Sequence, residues 1–155
     1  MKPINTNAGL AVAAKSLCQV QLLKESIESS LYTLSKLGEQ PLRDIDDTTL
    51  KADMMTMNEI MRNTSDDYIL NLHENKAKKI IIAMKIYSSL GHMLQLAKPT
   101  LVGALTLRMV ELTITNGLVP SSPLAFALYG GVQAATGNIA EGCRLGRYHC
   151  VLTVL

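Results

Sequence analysis

Residues 112–140 contain no Asp, Glu, Lys or Arg, and they hold the chain's single Phe, Phe126. So long an uncharged stretch is either the inside of a folded domain or part of a membrane span. A spanning helix needs about 20 consecutive apolar residues, whereas the longest strictly apolar piece here is residues 124–132, and Pro120 and Pro123 stand just before it. The expectation is burial in the middle of a domain, with no membrane span. Nothing in the stretch is suited to catalysis.

The rest of the composition points to helices. With aromatic residues at 4%, no Trp and eight Met, the core must be filled by Leu, Ile, Ala and Met, which apart from β-branched Ile are good helix formers. The class expected is all-α, in one domain of 155 residues. A net charge of +2, with Lys and Arg scattered along the chain, is too small a basic footprint for a nucleic-acid partner. Cys18, Cys143 and Cys150 make an odd set without a CxxC pair, as expected of reduced cytoplasmic thiols. The apolar run 9–14 is stopped by Lys15 before it reaches the length of a signal-peptide core.

Taken in order, residues 1–14 read as a loose lead-in to a single helical domain over 15–155. Leu17, Val20, Leu23, Ile27, Leu31 and Leu34 then step by three or four and predict one helical face, ended by Gly38 and Pro41. Asp44, Asp46 and Asp47 precede Thr48 and the periodic set Leu50, Met54, Met57 and Met61, so the acids read as capping a second helix. A calcium loop does not fit: Thr49 stands where the glycine belongs and Met55 where the glutamate belongs. Residues 63–71 read as a connection. Asn75 is the expected cap of a third helix from Lys76 towards Leu96, with Ile80, Met84, Tyr87, Leu90 and Leu94 inward.

Pro99 opens a fourth helix carrying Val102, Leu105, Met109 and Leu112, which Gly117 ends. Ser121 or Ser122 caps a fifth, with Pro123 in its first turn, running to Gly137. Asn138 and Glu141 have capping-box spacing for a sixth. Helix after helix joined by short Pro and Gly connections suits antiparallel pairs stacked as a right-handed solenoid. A closed bundle needs the same apolar stripes and competes with it.

The candidate residues are structural or interaction positions, with no catalytic, cofactor or metal ligand set among them. Arg108 and Glu111 sit i, i+3 on the helix leading into the uncharged stretch; the pair is either a simple ion pair or one in which Arg108 also reaches a group on the next helix and fixes their stacking. Tyr129 and Tyr87 are candidates to line a groove. Gly130, Gly137 and Gly142 are spaced like half of a tetratricopeptide repeat, with Gly130 and Gly142 at a close helix crossing and Gly137 with Asn138 in the turn. Gly146 stands where the repeat carries an aromatic, so close backbone contact is expected there. His73 lacks the second histidine of HExxH, and His149 beside Cys150 lacks ligands at metal spacing.

Three segments carry a longer resemblance: SIESSLYTLSKLGEQ (26–40), LTLRMVELTITNGLVPSSPLAFALYGG (105–131) and TGNIAEGCRLGR (136–147). Together they resemble the tetratricopeptide-like helical region that follows the predicted ATPase module in large multidomain serine/threonine kinase and histidine kinase signalling proteins. The resemblance implies a short solenoid of about six helices, a fragment of a larger protein. Its implied work is non-catalytic protein–protein interaction or signal relay, with protein partners or covalently linked kinase and ATPase domains. The sequence has no GxxxxGK[ST] loop and no HRD or DFG set, so the chemistry of such a protein would lie in other domains. The alternative is a small ligand-binding bundle or enzyme with an internal pocket near Tyr129 and Gly131.

Overall fold

The computed structural model describes the backbone of residues 6–40, 42 and 46–154, and the side chains of that set from Lys15 on. Seven helices follow one another among the described residues: α1 (Thr6–Lys36), α2 (Asp47–Asn63), α3 (Asp66–Leu70), α4 (Lys78–Ala97), α5 (Thr100–Asn116), α6 (Ser122–Ala135) and α7 (Ile139–Val154). The fold is all-α, and the one extended pairing among these residues is an isolated parallel bridge between Glu74 and Leu118.

From α4 to α7 each long helix packs on the next, α1 lies on α4, α2 on α5, and α3 on α7. α5 therefore sits in the middle. It buries Leu101, Leu105, Met109, Val110 and Leu112, each side chain of this kind contributing about 1.5–3 kcal/mol when taken fully out of water. The uncharged stretch is accounted for by that position: it forms the end of α5, the turn at Gly117, all of α6 and the start of α7. The buried residues Ala125, Phe126 and Tyr129 come from it. At 14 residues α6 is too short to span a bilayer. α4 is the one described helix long and apolar enough to do so, yet Met84, Tyr87, Leu90 and Leu94 on it are core residues.

Several boundaries differ from the sequence reading. α1 starts at Thr6, inside the segment read as loose, because Leu10, Ala11, Ala13 and Ala14 are strong helix formers. Its apolar stripe is buried only from Leu23 onward: Ile27 and Leu34 enter the core, whereas Leu17 and Val20 are 71% and 65% exposed. Gly38 ends the helix region with φ 75°, and the Pro41 and Asp44 readings fall outside the described residues. Asp46 is the cap of α2, its carboxylate accepting from Thr49 N at 2.6 Å, which lowers its pKa. Residues 63–71 contain the short helix α3, capped by Ser65.

Asn75 does not cap α4. Its carboxamide accepts from Ala77 N and donates to Asn116 O, tying the lead-in of α4 to the end of α5. Ser121 makes no capping bond. Ser122 is buried instead, its hydroxyl accepting from Val119 N at 3.0 Å and lying 3.1 Å from Thr113 Oγ1. The α6–α7 turn also lacks a capping box, because Asn138 donates back to Gln133 Oε1 and Glu141 turns to Arg144.

Candidate functional site

The polar chemistry of the chain gathers at two inter-helix clamps, each centred on an arginine. In the first, Arg108 of α5 donates from Nε and Nη2 to a single oxygen of Glu39, at 2.9 and 2.8 Å, and from Nη1 to Glu111 at 2.8 Å. The Glu39 side chain is 5% exposed. The same oxygen accepts from Tyr87 Oη of α4 at 3.1 Å. Glu39 follows the turn at Gly38, so this clamp joins the end of α1 to α4 and α5. A carboxylate so deeply buried requires such partners. Burial, and then the Glu39 charge, push the Tyr87 phenol well above its ordinary range. Burial opposes the charge on Arg108, but bonding to Glu111 and Glu39 outweighs it and raises its pKa.

The second clamp holds the other end of the molecule. Arg144 of α7 donates from Nε to Asp66 at 2.8 Å, from Nη1 to Met61 O and Glu141, and from Nη2 to Met61 O and Thr64 O. All five guanidinium donors are used. Met61 O also accepts from Thr64 N at 3.3 Å, and Thr64 is the C-cap of α2, so Arg144 adds to the capping of that helix end from another helix. Tyr148 donates to the same Asp66 oxygen at 2.6 Å, and its ring meets Phe126 edge-on with centroids 5.4 Å apart. The Tyr148 hydrogen bond, followed by that of Arg144, holds the Asp66 carboxyl below its usual range. Burial and the bond to Asp66 push Tyr148 up to about 12.

Tyr129 joins α6 to α2 by donating to Asn58 Oδ1 at 2.7 Å. Burial pushes its phenol up to about 12; the neighbouring Gln133 pulls it down and the Glu141 charge adds to the rise. Gly130 and Gly142 face each other: a Cβ on Gly130 would lie 3.0 Å from Gly142 O, and one on Gly142 would lie 2.8 Å from Gly130 O. α6 and α7 thus cross backbone to backbone. Gly137 makes the turn between them at φ 92°. Gly146, read from the sequence as a close backbone contact, approaches α6 through its own amide: a Cβ on Gly130 would lie 3.5 Å from Gly146 N, while a Cβ on Gly146 itself would meet nothing. Gly131 is likewise open.

The structure therefore brings Arg108 and Glu111 together and Gly130 and Gly142 together, while Tyr129 belongs to neither clamp. Sequence reasoning missed Glu39, Asp66, Arg144 and Tyr148. The only local signal was the i, i+3 spacing of Glu141 and Arg144. No three His, Cys, Asp or Glu side chains converge among the described residues. An open groove of about 480 Å3 runs between α2, α5 and α6, lined by Leu50, Met54, Val102, Gly103, Val132 and Ala135, with Asp47 and Lys51 at its rim. It lies beyond Tyr129 and Gly131, neither of which lines it.

Arg144 has all five of its donors on protein oxygens and Arg108 has three of its five, so both guanidinium groups hold helices together. No protein-family model, curated protein or solved structure matches the chain.

Proposed function

We propose that the chain is a non-catalytic helical module that works through protein contacts, as a scaffold or a relay of signals. In this reading its helices form antiparallel pairs stacked as a short tetratricopeptide-like right-handed solenoid, similar to the region downstream of the ATPase in multidomain signalling kinases. It acts in the cytoplasm on protein partners or on kinase and ATPase domains linked to it. The observation that carries the reading is the pair of unpartnered apolar faces on α1 and α7: Leu17 and Val20 on α1, and Ile139 and Val154 on α7, are all exposed. Exposed apolar clusters of this kind mark contact surfaces more often than they mark catalytic ones.

The test is photo-crosslinking from Leu17 and Val20, compared with the polar surface at Glu74 and Lys76, and titration with Mg-ATP. Crosslinks to a protein confined to the α1 positions, with no specific ATP binding, are the expected result. Saturable ATP binding with hydrolysis contradicts the proposal. A ligand-binding bundle is the second reading, and the groove beside Leu50 and Val132 is what favours it; its volume is within the 300–1,000 Å3 or so of small-molecule sites.

A further inference from the structure

The outer face of α7 carries a stripe that reads nearly the same in both directions. Ile139, Cys143, Gly146, Cys150 and Val154 follow at steps of four, three, four and four residues, which keeps them on one side of the helix. That side is opposite Leu145 and Tyr148, which enter the core. Ile139 is 66% and Val154 87% exposed, both thiols are free and exposed, and a Cβ on Gly146 would meet nothing. No charged residue lies in the stripe, and Arg147 stands at its edge.

We infer that this stripe is a self-association surface, on which α7 pairs antiparallel with α7 of a second copy of this chain. The occupant follows from the order of the residues. A two-fold axis passing between Gly146 and Arg147 sets Ile139 against the partner's Val154 and Cys143 against the partner's Cys150. It also lays the aliphatic stem of each Arg147 over the other copy's Gly146. An isologous contact needs one patch complementary to itself under rotation, and apolar meets apolar at each level here. A 16-residue helix is about 24 Å long. Two such helices face to face bury on the order of 1,000 Å2, the low end for specific interfaces, so the dimer is weak and reversible.

The test uses the whole chain with Cys18→Ser, leaving Cys143 and Cys150 as its thiols. Sedimentation across a concentration series should show a reversible monomer–dimer equilibrium that Ile139→Asp and Val154→Asp abolish. These positions are solvent-facing, and an unchanged helical circular dichroism spectrum verifies that the variants fold. Treatment with an azodicarboxamide oxidant takes two hydrogens per thiol pair, forming a disulfide and a hydrazine. The antiparallel register predicts a covalent dimer in the parent. Cys143→Ser alone and Cys150→Ser alone should give none, and an equimolar mixture of the two should restore it. Three results overturn the inference: a monomer at every concentration, as expected if a foreign helix covers the stripe; a crosslink that persists in one single-thiol variant alone, which means another register; or a dimer unaffected by Ile139→Asp.

Discussion

The α6–α7 hairpin and the N-terminal half of α1 are both helical and both apolar in part, yet they are held in different ways. The hairpin is closed twice and then tied to the body. Gly130 and Gly142 let the two backbones touch, Phe126 and Tyr148 pack edge-on, and Arg144 fastens α7 to α2 and α3 with all of its donors. α1 from Lys15 to Leu22 has Leu17, Val20 and Leu22 in water and is joined to the body only farther along, through Ile27, Leu34 and the Glu39 clamp. The difference is one of partners: the hairpin carries Gly130, Gly131, Gly142 and Gly146 inside its helices, so packing and not propensity holds it. A helical segment with few tertiary contacts has little beyond propensity to hold it, so the Lys15–Leu22 part of α1 is where the fold frays first.

The largest expected effect is at the hairpin crossing. Gly130→Leu forces a side chain into the Gly142 carbonyl and Leu145, and should cost roughly 3 kcal/mol or more as overpacking and backbone displacement combine; urea unfolding reads it directly. Next comes Arg144→Met, which strands the Thr64 carbonyl and the partly buried Glu141 and leaves Met61 O with the Thr64 amide alone. Each group left unsatisfied costs about 1–3 kcal/mol, so a loss of roughly 2–3 kcal/mol is expected, visible as a lower thermal midpoint. Gly137→Ala puts a Cβ at φ 92° with no steric neighbour, and the conformational cost alone, about 1–2 kcal/mol, should appear.

A pH series probes the phenols that α6 and α7 bury against other helices. Tyr129 and Tyr148 titrate at about 12 in the fold against an ordinary value of about 10. A raised folded value means that the stabilisation is fully present below pH 10 and is lost as pH climbs towards 12. Urea midpoints should therefore hold to pH 10 and fall beyond it, and Tyr148→Phe should flatten part of the decline. The smallest effect is expected at the start of α1: Leu17→Ser should change stability by no more than about 0.5 kcal/mol, in contrast to Leu34→Ser at the buried end of the same helix.

Much of the helical layout was legible because period and punctuation agree. The stripe Leu50, Met54, Met57, Met61 became α2, and Pro99, Pro123 and Gly117 stand at helix ends as their chemistry requires. The crossing of α6 and α7 was also readable, since glycines seven and five residues apart around a turn leave few other uses. The clamps were not readable beyond Arg108 and Glu111. Arg108 finds Glu39 across 69 residues of sequence and Arg144 finds Asp66 across 78, and no local pattern carries that pairing. Leu17 and Val20 misled for the converse reason: periodicity gives the apolar side of a helix without saying where the protein beside it stops.

The central claim, that the hairpin is the closed heart of the fold and the start of α1 an arm held by little of its own chain, is tested most directly by native-state amide hydrogen exchange on the isolated protein. Amides of Phe126–Gly130 and Gly142–Tyr148 should exchange only through global unfolding. Those of Lys15–Leu22 should exchange many-fold faster, through local fraying. Equal protection in the two regions, or faster exchange in the hairpin than in the arm, would contradict it.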